Sequence, residues 1–168
     1  GWAGARIHGW YITPAGDGPF PVLVVYHGYG GNKGCIYSLL PWVLAGYAVL
    51  AVDTRGQTGD TSDPTPYSAG HFRGYMTQGV LDPQEYYYRG VYVDCVRALD
   101  FVETRPELDS RRIALTGISQ GGGLTLAVAG LDHRPAVAMP RVPFLCHYRR
   151  AVLVSDKDPY WEIARYCH

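Results

Sequence analysis

Long apolar runs are missing from this 168-residue chain. Runs such as Pro21–Tyr26 and Tyr47–Val52 fall far short of the roughly 20 residues a helix needs to cross a bilayer. An excess of one charge sign is missing too. Lys and Arg number 15 against 15 Asp and Glu, with no basic block, so neither nucleic acid nor an anionic membrane surface is an expected partner. Gly1-Trp2-Ala3 shows no charged segment followed by an apolar one, the pattern of a secretory leader. Cysteine is scarce: Cys35, Cys95, Cys146 and Cys167 are widely spaced and form no C-x-x-C. Cys146-His147 and Cys167-His168 place potential ligands side by side. Adjacent side chains rarely bind one ion together and no second pair has ligand spacing, so no metal is expected. Buried free thiols in a reducing compartment are expected instead.

What is present is apolar material for one packed unit over residues 1–168, since 47% of the residues are hydrophobic. Ala5–Thr13 reads as a strand ended by the turn Pro14–Pro19. Pro21–Tyr26 is continuously apolar, as in a strand buried on both faces, and leads into His27-Gly28-Tyr29-Gly30-Gly31-Asn32. Tyr37–Ala45 is expected to be helical, with Gly46 as its stop. Tyr47–Val52 is a second buried strand, closing in Asp53-Thr54-Arg55-Gly56-Gln57. Thr58–Gly79 is a long polar stretch rich in Gly and Pro, expected to serve function or subunit contacts. A helix is expected from Asp82, with Asp82 as N-cap, Pro83 at the first position and Glu85 three residues after the cap. Tyr87, Val91, Cys95, Ala98 and Val102 give it one apolar stripe, and Arg105-Pro106 ends it. A strand at Arg112–Thr116, a helix through Leu124–Ala129 and a strand near Ala136–Val142 follow. Strands alternating with helices imply an α/β fold with a mostly parallel sheet.

Gly117-Ile118-Ser119-Gln120-Gly121 is the sharpest local signal. A Gly-x-Ser-x-Gly run between a strand and a helix has the context of a nucleophile elbow, and a plain glycine-rich turn is the alternative. Such a turn projects the Ser119 hydroxyl above the sheet edge, and glycine at 117 and 121 removes Cβ atoms that would collide across it. The Gln120 N–H then faces the oxyanion of a tetrahedral intermediate. The second donor is expected from the loop after the first buried strand, at the Tyr29 N–H.

A serine hydroxyl is a weak nucleophile without a base and an orienting acid. After Ser119 the acids are Asp132, Asp156, Asp158 and Glu162, and the histidines are His133, His147 and His168. None sits at a strand end as a triad member should, so the catalytic Asp and His are not found in this chain. His27 is expected to fix its own loop by hydrogen bonding. Asp53 and Arg55 read as an internal ion pair or loop anchor, and His71 as a pocket-lining or solvated loop residue. Gly30-Gly31-Asn32-Lys33-Gly34 lacks the Gly-Lys-Ser/Thr ending of a phosphate-binding loop.

Together with the elbow, the motifs Arg55-Gly56-Gln57, Ser119-Gln120-Gly121-Gly122-Gly123, His27-Gly28-Tyr29, Tyr86–Ala98 and Val142–Ala151 make nearly the whole chain resemble the carbohydrate esterase family 7 enzymes, the acetyl xylan esterases and cephalosporin C deacetylases. The resemblance implies an α/β-hydrolase fold, a mostly parallel sheet flanked by helices. It implies Ser119 as nucleophile, the Tyr29 and Gln120 amides as oxyanion hole, Arg55 and Gln57 as braces of the active-site loops, and Pro159 as a wall of the substrate pocket. It further implies acetyl removal without a cofactor from a small acetylated carbohydrate or cephalosporin ester, in a cytoplasmic homo-oligomer, a hexamer. Two departures accompany it. The family's catalytic Asp and His-Glu segment fall beyond His168 and a helical portion falls before Gly1, so the chain is expected to be truncated at both ends, with an open apolar sheet edge that self-associates. Arg141 stands where an acidic residue is usual, a departure that bears on the bracing by Arg55. The readings are an acetyl esterase, a catalytically incomplete fragment of one, and a peptidase of the same fold, the last disfavoured by the Arg-Gly-Gln turn.

Overall fold

The apolar runs Pro21–Tyr26 and Tyr47–Val52 each become a strand with neighbours on both sides. In a computed structural model, which describes residues 1–167, five strands form one sheet. They are β1 (Gly9–Ile12), β2 (Phe20–Tyr26), β3 (Ala48–Val52), β4 (Leu108–Ile118) and β5 (Pro135–Arg141). Their order is β1-β3-β2-β4-β5. β1 runs antiparallel to β3, and every other pair is parallel. The helices are α1 (Leu40–Leu44), α2 (Tyr87–Glu103), α3 (Gln120–Leu131), α4 (Tyr148–Val154) and α5 (Tyr160–Cys167).

The two faces of the sheet are covered unequally. On one, Val22, Val24, Leu50, Ile113 and Leu115 pack against Val91, Leu99 and Val102 of α2 and Leu124 and Val128 of α3. On the other, Leu23, Val49 and Ala51 meet Leu39, with Val43 and Trp10 partly buried over them. Every residue of β3 is buried, which accounts for its lack of alternation. All five residues of the expected α2 stripe are buried. At the other end of the sheet, β5 pairs with β4 alone among the described residues, and Val137 on it is 50% exposed.

Several elements differ from expectation. β1 is shorter than Ala5–Thr13, and β4 and α3 are longer than their apolar segments. α2 begins at Tyr87, not at Asp82, and its N-cap Tyr86 makes no side-chain cap. Asp82 instead closes a single turn: its carbonyl accepts the Glu85 and Tyr86 N–H groups and its carboxylate accepts the Gln84 N–H. Glu85 does not complete a capping box because its carboxylate accepts the Ser68 N–H and hydroxyl, pinning the long 58–79 segment. Tyr87 N–H donates to the Gln78 carbonyl. Of the four thiols only Cys95, on the inner stripe of α2, is buried; Cys146 is half-buried, and Cys35 and Cys167 are exposed. Among the described residues no helix is long and apolar enough to cross a membrane.

The connectivity places the site. β2 lies between β3 and β4, so the chain leaves it on one side as β3 and returns on the other as β4. Ligands of open α/β sheets bind where strands diverge in this way, outside their carboxyl ends. Tyr26 at the end of β2 is level with Val52 of β3 and Gly117 of β4. The segments beginning at His27, Asp53 and Ser119 therefore emerge from one edge.

Candidate active site

Ser119 occupies the sharp turn between β4 and α3 with φ 56 and ψ −117, a backbone region that costs a non-glycine residue roughly 1–3 kcal/mol. Its surroundings over-determine that conformation. The Ser119 N–H donates to the Arg141 carbonyl at 3.0 Å, and its carbonyl accepts the Gly123 and Phe144 N–H groups at 3.1 and 2.9 Å. The glycines make room for the turn. A Cβ on Gly117 would lie 2.4 Å from the Gly121 carbonyl, one on Gly121 would lie 2.0 Å from the Tyr26 carbonyl oxygen, and one on Gly123 would lie 2.0 Å from that of Phe144. The first turn of α3 is thus wedged between the end of β2 and the 143–145 segment.

Gln120 opens α3, so its N–H has no intrahelical acceptor, and among the described residues neither it nor the Tyr29 N–H finds a protein acceptor. The Tyr29 loop lies against the elbow: a Cβ on Gly28 would sit 4.0 Å from Ser119 Cβ. Gln57 joins the two. Its side-chain amide exchanges hydrogen bonds with that of Gln120, Nε2 to Oε1 at 2.9 Å and Nε2 to Oε1 in return at 3.2 Å. Gln57 Oε1 also accepts the Gly30 N–H at 2.8 Å, and its Nε2 reaches the Tyr87 hydroxyl at 3.0 Å. Gln120 Oε1 accepts the Tyr88 hydroxyl at 3.0 Å. Both glutamines are buried, and a buried amide left unpaired would be costly.

Arg55 is fully engaged, at 1% exposure. Its Nε and Nη2 donate to both oxygens of Asp94 at 2.6 and 2.8 Å, a bidentate pair. Nη2 also donates to the Trp2 carbonyl, and Nη1 to Thr65 Oγ1 and, at 3.4 Å, to Asp63. The Arg55 carbonyl in turn accepts the Tyr87 hydroxyl at 2.6 Å. The acid opposite Arg55 is Asp94 of α2. At position 141 it is the backbone carbonyl that serves the elbow. Asp53 and Arg55 are separate anchors: Asp53 takes the Lys33 ammonium at 2.8 Å and the Lys33 and Asp60 N–H groups.

With this arrangement in view, the chain matches over residues 1–168 the family described as Acetyl xylan esterase (AXE1). It belongs to the acetyl xylan esterase family. An acetyl xylan esterase from Paenibacillus sp. R4 is 55% identical and superposes with a TM-score of 0.93 over 97% of this chain and 52% of its own. Acetyl xylan esterase 1 from Thermoanaerobacterium sp. is 38% identical, with a TM-score of 0.90 over 98% of this chain and 52% of its own. The acetyl esterase Axe7A of Xylanibacter ruminicola is 31% identical over 145 residues, 83% of this chain and 33% of that protein. The chain thus spans about half the length of the solved relatives, and their α/β-hydrolase fold is the fold seen here.

Other sequence-stretch candidates separate once placed on this family fold. No partner for Ser119 Oγ is found among the described residues. Asp132 is held by Arg134 and Asp158 by Arg165, and Glu162 accepts the Tyr29 hydroxyl at 2.6 Å. His133 and His147 are exposed, and His168 lies outside the described residues. A cavity of about 870 Å³ beside the Tyr29 loop is lined by Tyr29, His71, Tyr75, Tyr87, Asp158 and Glu162 among others. Pro159 is half-buried and does not line it. Among the described residues no group of His, Cys, Asp and Glu could hold a metal ion. Asp94, Tyr87 and Tyr88 make site contacts that the sequence pattern does not single out, and Glu162, one of the candidate acids after Ser119, bonds to Tyr29 rather than to a histidine. One signal was available: Asp94 is a charge on the buried face of α2, and a buried charge needs a partner.

His27 anchors its loop as a neutral ring. Nε2 accepts the Thr54 N–H at 2.8 Å, which leaves Nδ1 to donate to the Gly28 carbonyl at 2.7 Å. Burial pushes its pKa below the ordinary 6.5, against the opposing pull of the Gly28 carbonyl and of Asp53. With the folded value depressed, protons bind the unfolded chain first as pH falls below 6.5, so stability falls with them. Burial opposes ionisation of Asp53, but the Lys33 ammonium and amide overcome it and hold its pKa below 3.8. Its contribution is lost only in that more acid range. Urea unfolding at pH 7.5 and 5.5 should therefore show a loss of stability that His27→Gln reduces; an unchanged loss would remove His27 as its source.

Proposed function

We propose that this chain carries the nucleophile and oxyanion machinery of a serine carboxylesterase that removes acetyl groups from acetylated xylo-oligosaccharides, with cephalosporin C-like esters as a second substrate. The observation that supports the reading is Ser119 on a strained elbow, in a chain matching the acetyl xylan esterase family throughout, with the Gln120 amide and the Tyr29 loop next to it and, among the described residues, no protein acceptor for either the Gln120 or the Tyr29 N–H. Ser119 Oγ attacks the acetyl carbonyl carbon while its proton passes to a base. The oxygen that gains charge is met by the Tyr29 and Gln120 N–H groups. Collapse expels the sugar hydroxylate, which takes the proton from the base, and leaves acetyl-Ser119. Water then adds to the acyl carbon as its proton passes to the base, the bond from the acyl carbon to Ser119 Oγ breaks, Oγ takes that proton back and acetate leaves. None of the described histidines bonds to Ser119 Oγ, so the reading takes the base from outside the described residues, in this chain or in a neighbouring copy of it. Assembly as a hexamer in the cytoplasm belongs to the same proposal.

The same observation favours a second reading, an incomplete esterase whose site binds without turnover through Ser119. Oxyanion stabilisation and binding without a complete triad give a residual rate of about 10³–10⁴ over water. Hydrolysis of p-nitrophenyl acetate and of acetylated xylo-oligosaccharide by the 168-residue protein, with Ser119→Ala alongside, separates them. Turnover that disappears in Ser119→Ala supports the esterase; equal rates in both proteins support the incomplete site.

A further inference from the structure

Tyr29 stands between Gly28 and the pair Gly30-Gly31, with Gly30 at φ 69. A residue flanked by glycines has little intrinsic restraint on where its amide points, yet an oxyanion donor must be held in place before the charge develops. The peptide on one side of Tyr29 is held, because the Gly30 N–H donates to Gln57 at 2.8 Å. The other anchor is the phenol. Its hydroxyl donates to Glu162 Oε1 at 2.6 Å and accepts the Tyr75 N–H at 2.8 Å. Glu162 lies in the first turn of α5, 133 residues away along the chain. Its second oxygen accepts the Tyr75 and Met76 N–H groups, both at 3.0 Å. The Tyr29 ring is enclosed edge-on by Tyr75 and Phe144, with centroids at 5.3 and 5.9 Å.

We propose that Glu162 is a positioning residue for the oxyanion hole: through the Tyr29 hydroxyl it fixes the loop so that the Tyr29 amide stays beside Ser119. The inference rests on the oxyanion role given above to Tyr29. It gives a use to an acid that follows Ser119 without serving a histidine, since both its oxygens are occupied by Tyr29 and by the 75–76 backbone. A hydrogen bond from a hydroxyl to a carboxylate is short and strong, and burial together with Glu162 pushes the phenol pKa up, keeping Tyr29 a donor. The carboxylate thus ties three separate segments to one point: the oxyanion loop, the long 58–79 segment and α5.

The test uses Glu162→Gln, Tyr29→Phe and the double variant of the same protein, with two readouts. In acetyl ester hydrolysis each single variant is expected to lower kcat about tenfold, a fraction of the about 10²–10³ that losing an oxyanion donor costs, with KM within twofold. The double variant should fall no further than the worse single one. In ¹⁵N relaxation, the order parameters of the Tyr29 and Gly30 amides should drop from about 0.85 towards 0.6 in both single variants. If Glu162→Gln loosens only the Tyr75 and Met76 amides and leaves kcat and the Tyr29 and Gly30 amides unchanged, Glu162 is a cap for its neighbours and the proposal is overturned. Should the parent protein show no Ser119-dependent hydrolysis, the esterase reading fails, and the relaxation data still decide whether Glu162 fixes the Tyr29 loop.

Discussion

Asp94→Ala is expected to lower the unfolding free energy by about 3–5 kcal/mol, the cost of stranding one member of a buried ion pair. The Arg55 side chain has no exposed surface and that of Asp94 is 6% exposed. Truncation leaves three donors pointing at an empty space: Arg55 Nε, Arg55 Nη2 and the Trp2 N–H, which donates to Asp94 Oδ1 at 2.7 Å. Asp63 offsets part of the loss, but only through a 3.4 Å contact with Nη1. Replacing both partners with apolar residues, as in Arg55→Met with Asp94→Leu, should recover part of the stability, since no charge is then left buried. Recovery stays incomplete because the Trp2 carbonyl and Thr65 lose their donor as well. Urea unfolding monitored by circular dichroism measures each step. A loss below about 1 kcal/mol for Asp94→Ala would mean that water reaches Arg55 and that the pair behaves as a surface one. The consequence for the site follows from connectivity. Arg55 and Gln57 share one turn, so freeing Arg55 releases the glutamine that holds Gln120 and the Tyr29 loop.

Gly121→Ala is expected to cost more than about 4 kcal/mol, or to prevent folding, placing it among the few single changes that large. The added Cβ would fall 2.0 Å from the Tyr26 carbonyl oxygen and 2.6 Å from its carbon. Both atoms belong to the end of a central strand, so no side-chain rotation relieves the overlap. The same substitution at the far end of the same helix should have the opposite sign. Gly130 is exposed and nothing lies within 4 Å of its Cβ position, so Gly130→Ala should stabilise by roughly 0.5–1 kcal/mol through helix propensity. Thermal unfolding of the two variants against the parent checks the contrast. A mild effect at Gly121 would mean that α3 can slide away from β2 and that the elbow tolerates a wider turn.

Apolar continuity and period were legible directly. The runs at Pro21–Tyr26 and Tyr47–Val52, the stripe from Tyr87 to Val102 and the glycines around Ser119 each depend on near neighbours in the chain. They led to the parallel sheet, to α2 and to the elbow, with ends shifted by a few residues. Where expectation failed, a distant residue had claimed the group in question. Asp82 and Glu85 form a sound capping sequence, yet Glu85 bonds to Ser68 and the helix starts at Tyr87. Arg141 departs from the family pattern, yet Arg55 is braced all the same, by Asp94 on an element whose pattern revealed burial and nothing of hydrogen bonding. α4 and α5 are short helices whose patterns are too brief to stand out.

By itself the sequence determined the fold class, the position of Ser119 at a strand-to-helix turn and the family, because local spacing and the Arg-Gly-Gln and Ser-Gln-Gly-Gly-Gly motifs are linear information. Only the tertiary structure decided why those two motifs belong together. Gln57 and Gln120 lie 63 residues apart and meet as a reciprocal amide pair at the diverging ends of β2, β3 and β4. It likewise brought Glu162 to Tyr29 and Asp94 to Arg55. Such pairings are settled by which groups remain unsatisfied when strands and helices close on one another, and a buried donor or charge takes whatever partner the packing brings within reach.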